Sequence, residues 1–239
     1  NIFERLLNWY RTRTIRDAID TDTGDALFVS LLPVSEDPVK AAAAWRERIG
    51  SGLPGAGNSL RNAWLETTRI ADKYNEPGHF TALIGWEWSA VPGGANLHRV
   101  VVTDADAAVA QKFLPYSSNE SPYPEDLWAW LETTSNATGA NFVAIPHNSN
   151  ISKGMMFADQ TLRGEPLTAD SARTRMKWER VVEVTQIKGT SETHPLLSPN
   201  DEIAGFELYP YYIQQKTEPY VARRGDFVRP ALEAGRAAG

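Results

Sequence analysis

Phe142-Val143-Ala144-Ile145-Pro146-His147-Asn148 is a short apolar run that ends on a proline and delivers an imidazole. A run of this length beyond Gly139 reads as a buried strand rather than a helix. Upstream, Phe80-Thr81-Ala82-Leu83-Ile84-Gly85-Trp86-Glu87-Trp88 repeats the pattern, with a carboxylate at its C-terminal side. Between the two, Pro92-Gly93-Gly94 marks a turn, and His98 to Thr103 reads as a strand that opens on its histidine.

Helical patterns separate these runs. Ser35 to Pro38 signals the start of a helix reaching Arg48. Asn58-Ser59 caps another, with Leu60, Trp64 and Ile70 expected to face inward and Asn75 to Gly78 ending it. Pro122 to Thr134 and about Asp170 to Lys177 are further helices, while Ala26 to Leu32 and Val181 to Thr185 read as strands. Strands alternating with helices predict one α/β domain over residues 1–239 with a largely parallel sheet, closed or open.

Composition narrows the function. The 239 residues contain 24 Lys+Arg against 30 Asp+Glu, and a net charge of −6 argues against nucleic-acid binding through a basic surface. No apolar run approaches the ~18 residues of a membrane helix. With no Cys, disulfides, Cys-ligated zinc and thiol catalysis are all excluded, and the compartment stays open between cytoplasm and periplasm. Any metal site must be built from carboxylates and four histidines: His79, His98, His147 and His194.

Three of the predicted strands carry a metal-ligand type at or beside an end. Glu87 and His147 follow their runs and His98 precedes its own. One carboxylate with two imidazoles is a ligand set for Zn, Mn or Fe. His79, in a helix-to-strand loop, reads as structural or exposed, and His194 in Thr193-His194-Pro195 is left open. Glu183 alternates with valines and either faces the site or pairs with a lysine. Arg99, beside a candidate ligand, either forks onto an anionic substrate or is held in a salt bridge. Trp86, Trp88, Trp128 and Trp130 are core residues or sugar-stacking platforms, which keeps a non-catalytic saccharide-binding module as the alternative to an enzyme.

The runs around Glu87, Asn96-Leu97-His98-Arg99-Val100-Val101-Val102 and Ile145 to Phe157 resemble a bacterial family of unknown function. So do Glu183 to Glu192 and Ser198 to Glu202. That family is itself similar to the PHP superfamily (polymerase and histidinol phosphatase), and the resemblance runs from about Trp64 to Glu207. It implies a distorted (β/α) barrel and two or three divalent ions serving a phosphoesterase that uses metal-activated water. Glu87 would be the bridging carboxylate, and His98 and His147 would complete one ion's shell. Asn148, Lys153, Lys188 and Glu192 are implied at the rim of a pocket for a small, anionic substrate. The superfamily's opening His-x-His and closing Asp-x-His are missing here. The chain is therefore expected to hold the middle of such a barrel, an incomplete one, cut from a longer parent or left as a remnant.

Overall fold

The computed structural model describes residues 56–212 and 218–238. The expected strand at 26–32 and helix at 38–48 lie outside the described residues. The chain divides between Tyr74 and Asn75 into two units. In the first, helix α1 spans Ala56–Tyr74. Trp64 on it is buried as expected, whereas Leu60 and Ile70 are exposed.

The second unit is organised by three strands, β1 (Ile84–Trp88), β2 (Arg99–Thr103) and β3 (Phe142–Pro146). They form one sheet in the order β1-β2-β3, antiparallel throughout, with Trp88 opposite Arg99 and Arg99 opposite Pro146. This corrects the expected parallel arrangement. Residues 89–98 hold only the 3-10 turn Pro92–Gly94, too little chain for a crossover, which takes a dozen residues or more. Gly85 belongs to this pairing: a Cβ there would stand 2.6 Å from the Val101 carbonyl oxygen. A second, two-stranded sheet pairs β4 (Thr185–Gln186) with β5 (Gly189–Thr190). Among the described residues the strands do not close into a barrel.

Helix α2 (Ala107–Ala110) is capped by Asp106, whose carboxylate accepts from the Val109 amide. Helix α3 (Pro124–Thr138) starts on a first-position proline with Glu125 and Asp126 in its first turn, and stops at Gly139, whose φ of 79° gives a left-handed cap. Helix α4 (Ala169–Trp178) opens with a reciprocal capping box between Thr168 and Ser171. Near the end of the chain a 3-10 turn, Arg224–Asp226, leads into α5 (Val228–Ala238).

Strand alternation sorts the three-stranded sheet into two faces. Ile84, Trp88, Val101, Phe142 and Ala144 lie on the buried face. With Leu127, Trp128 and Leu131 of α3 and Trp178 of α4 they make the core, each large side chain contributing about 1.5–3 kcal/mol by leaving water. Trp86 and Trp130 join an edge-to-face cluster with Phe113 and Phe142. All four tryptophans considered as sugar platforms thus belong to the core or pack against it. The opposite face, with Glu87, Val100 and Ile145, is half-buried to exposed.

Candidate metal centre

The antiparallel order is what assembles the site. Glu87 pairs with Val100, so His98, two residues before Val100, falls diagonally beside it on the same face. Val100 pairs with Ile145, and His147 stands two residues beyond. The ladder continues past β3, where the His147 amide donates to the His98 carbonyl at 3.3 Å. Three ligand-bearing residues from three strands therefore meet at one sheet edge. A parallel sheet would have left His98 at the opposite end.

The donor atoms of Glu87, His98 and His147 all lie within 4.8 Å of one another, and they are the one such group of three among the described residues. Glu87 Oε1 is 2.9 Å from His98 Nδ1 and 3.2 Å from His147 Nε2. Ligands about 2.1 Å from a tetrahedral or octahedral ion stand roughly 3.0–3.4 Å apart, so both separations suit a shared cation. The His98 and His147 rings meet edge to face, 5.6 Å between centroids. His147 is 7% exposed and neither ring nitrogen has a hydrogen-bond partner; His98 Nε2 is likewise buried without one. Burial lowers the His98 pKa, Glu87 opposes the shift, and His147 and Lys188 add to it. The imidazole is thus biased toward the neutral form a metal requires. A carboxylate, two imidazoles and orphaned ring nitrogens together fit a divalent ion of the Zn, Mn or Fe kind.

The surroundings orient the ligands. Asn96 Nδ2 donates to the His147 carbonyl at 3.0 Å. Asn148 adopts a left-handed conformation with φ of 50°, is fully buried, and has no partner for either side-chain polar atom. Its amide donates to Glu183 Oε1 at 3.3 Å, and the Glu183 amide donates to the Pro146 carbonyl. Glu183 therefore sits beside the end of β3, where alternation had left it between two roles. Asn96, two residues before a ligand, carried no independent sequence signal. Its role depends on a partner 51 residues away.

The expected rim residues divide. Asn148 adjoins His147 in the chain, and Lys188, half-buried with no ion pair among the described residues, is close enough for its charge to bear on His98. Lys153 is committed elsewhere, donating to the Gly93 carbonyl at 2.9 Å and to Glu218 at 2.7 Å. Glu192 is held by Arg229 at 2.5 Å. Arg99 corrects its expected substrate contact: it lies on the buried face and its Nε donates to Glu179 Oε1 at 2.9 Å. Adjacent strand positions point to opposite faces, so a residue beside His98 cannot share its site. His79 is exposed, as read from its loop. His194 packs against Tyr220 and Phe227, 6.3 and 5.8 Å between ring centroids, and its Nδ1 accepts from the Leu196 amide.

A family model described as "Protein of unknown function (DUF3604)" matches residues 5–238. The chain belongs to the DUF3604 family. The match takes in every strand of the three-stranded sheet and all three candidate ligands of this DUF3604 domain. No curated protein and no solved structure matches the chain. No helix among the described residues is long and apolar enough to cross a membrane.

Proposed function

We propose that this DUF3604 chain is a divalent-metal-dependent hydrolase, with a phosphoester as the substrate class that its resemblance to the PHP superfamily implies. The observation that carries the reading is the convergence of Glu87, His98 and His147 with both ring nitrogens of a buried His147 left without partners. A divalent ion held there supplies Lewis-acid polarisation of a substrate oxygen and an activated water.

The chain's own residues do the rest. Glu87 brings the one formal negative charge of the ligand set, so a bound dication keeps a net positive charge that attracts an anionic substrate. Lys188, a cation with no ion pair among the described residues, extends that attraction at the rim. Asn148 offers a carboxamide with both polar atoms unpartnered, able to donate to a substrate oxygen or accept from a water. Asn96 and Glu183 hold the backbone on either side of the His147 peptide and limit its movement. The superfamily resemblance calls for two or three ions in a full site; the described residues supply the ligands for one.

The test is metal analysis by plasma mass spectrometry on the full chain purified without chelator, together with hydrolysis of p-nitrophenyl phosphate. At least one Zn, Mn or Fe per chain, lost in Glu87→Gln and His147→Ala along with hydrolysis, is the expected result. Protein that carries no metal and takes up none in titration would overturn the reading.

A further inference from the structure

We propose that the buried face of the same sheet carries a second site, for a small organic monoanion with an apolar body, independent of any metal. Arg99 stands at its base. This side chain is 1% exposed, and its Nε and Nη1 donate to Glu179 Oε1 and to the Leu97 carbonyl at 2.9 and 2.5 Å. Its Nη2 has no acceptor among the described residues, and the residue lines an open cleft of about 410 Å³, solvent at the mouth included.

Arg175 lines the same cleft and repeats the arrangement. Its Nε donates to Glu179 Oε2 at 2.8 Å, while its Nη1 and Nη2 have no acceptors among the described residues. Glu179 is spent: Trp128 Nε1 also donates to it, at 2.9 Å. Two guanidiniums that line the cleft thus share one carboxylate, leaving one positive charge and three donor nitrogens without an acceptor among the described residues. An anion accepting from these nitrogens would add charge-assisted hydrogen bonds to the cluster.

The remaining lining decides what kind of anion. Trp128, Met155, Met156, Leu162 and Leu167 form apolar walls suited to a hydrocarbon body. Glu125 also lines the cleft, its carboxylate 3.5 Å from Arg163. One surplus charge with a carboxylate nearby suits a monoanion, and disfavours a dianion such as phosphate. The ligand class is therefore a medium-chain or aromatic carboxylate, bound through the Nη1/Nη2 fork of Arg175 with Arg99 Nη2 beside it.

Isothermal titration of the full chain, with EDTA present, tests this using octanoate, 1-octanol and inorganic phosphate. Octanoate is expected to bind, with octanol and phosphate at least tenfold weaker. Arg175→Gln should weaken octanoate at least tenfold. Leu167→Trp, which fills the cleft from an exposed position and keeps every charge, should do the same. Glu87→Gln should leave octanoate binding unchanged, which separates this site from the metal centre. The proposal is overturned by octanoate failing to bind, by octanol or phosphate binding as tightly, or by indifference to both cleft substitutions. Loss of octanoate binding in Glu87→Gln would overturn it too, by placing the ligand on the other face.

Discussion

His98 Nδ1 stands 2.9 Å from Glu87 Oε1 across the β1–β2 ladder, a diagonal contact that exists because the two strands run antiparallel. The same carboxylate oxygen reaches His147 beyond β3, so one exposed Glu connects a half-buried and a buried imidazole.

Glu87→Gln should therefore act on metal affinity more than on stability. Glu87 is about half exposed, so a neutral isostere costs little folding energy, on the order of 0.5 kcal/mol. Loss of the only charged ligand is expected to weaken Zn or Mn binding by at least a hundredfold. Titration calorimetry and urea unfolding on the same variant check the two halves separately.

Breaking the buried ion cluster should do the reverse. Burial alone would raise the Glu179 carboxyl pKa, but Arg175 and Arg99 outweigh it and hold it below the ordinary value. Glu179→Gln leaves the Arg99 charge buried with no counter-ion, which costs about 3–5 kcal/mol. Chemical unfolding is the measurement, and metal content per folded chain should be unchanged.

Asp226 should make stability fall as pH rises. It is fully buried and accepts from Ser152 Oγ and from the amides of Gly154 and Arg223. Burial pushes its pKa up from 3.8 to about 6 against those hydrogen bonds. A carboxyl with a raised folded-state pKa contributes stability that is present below the unfolded value and lost as pH rises through the folded one. Between pH 4 and pH 7 the wild-type chain should lose about 2 kcal/mol relative to Asp226→Asn. Urea unfolding of both proteins at the two pH values gives the difference, and parallel behaviour would refute it.

Gly189→Ala should disturb the β4–β5 hairpin that carries Lys188. Gly189 has φ of 91°, and a Cβ there would stand 2.5 Å from Tyr209 Cβ and 2.8 Å from the Glu207 carbonyl oxygen. Neither neighbour is the free end of a flexible chain, so the backbone must shift. A loss of about 1–3 kcal/mol is expected, with weaker binding of an anionic substrate analogue at unchanged metal content. Unfolding and calorimetry together separate the two effects.

Much of this was legible in residue order. Short apolar runs ending on Glu87 and on His147 marked β1 and β3, and the Pro-Gly-Gly turn marked the break before β2. Pro124 and Gly139 bounded α3 within a few residues of the expected span. The three candidate ligands follow from strand ends, which local pattern reveals well. The parallel reading failed because alternation of helix and strand says nothing about which strands pair. A helix can connect antiparallel neighbours too, as α2 and α3 do between β2 and β3.

By itself, residue order determined which side chains alternate: His98 and Arg99 had to lie on opposite faces of whatever sheet they joined. Only the tertiary structure decided which face went into the core. Trp88, Leu127 and Trp178 buried the Arg99 side because apolar area dominates the choice of face. Arg99 followed at the cost of desolvation, offset by Glu179 from 80 residues away. The other face was left with Glu87, His98 and His147 side by side.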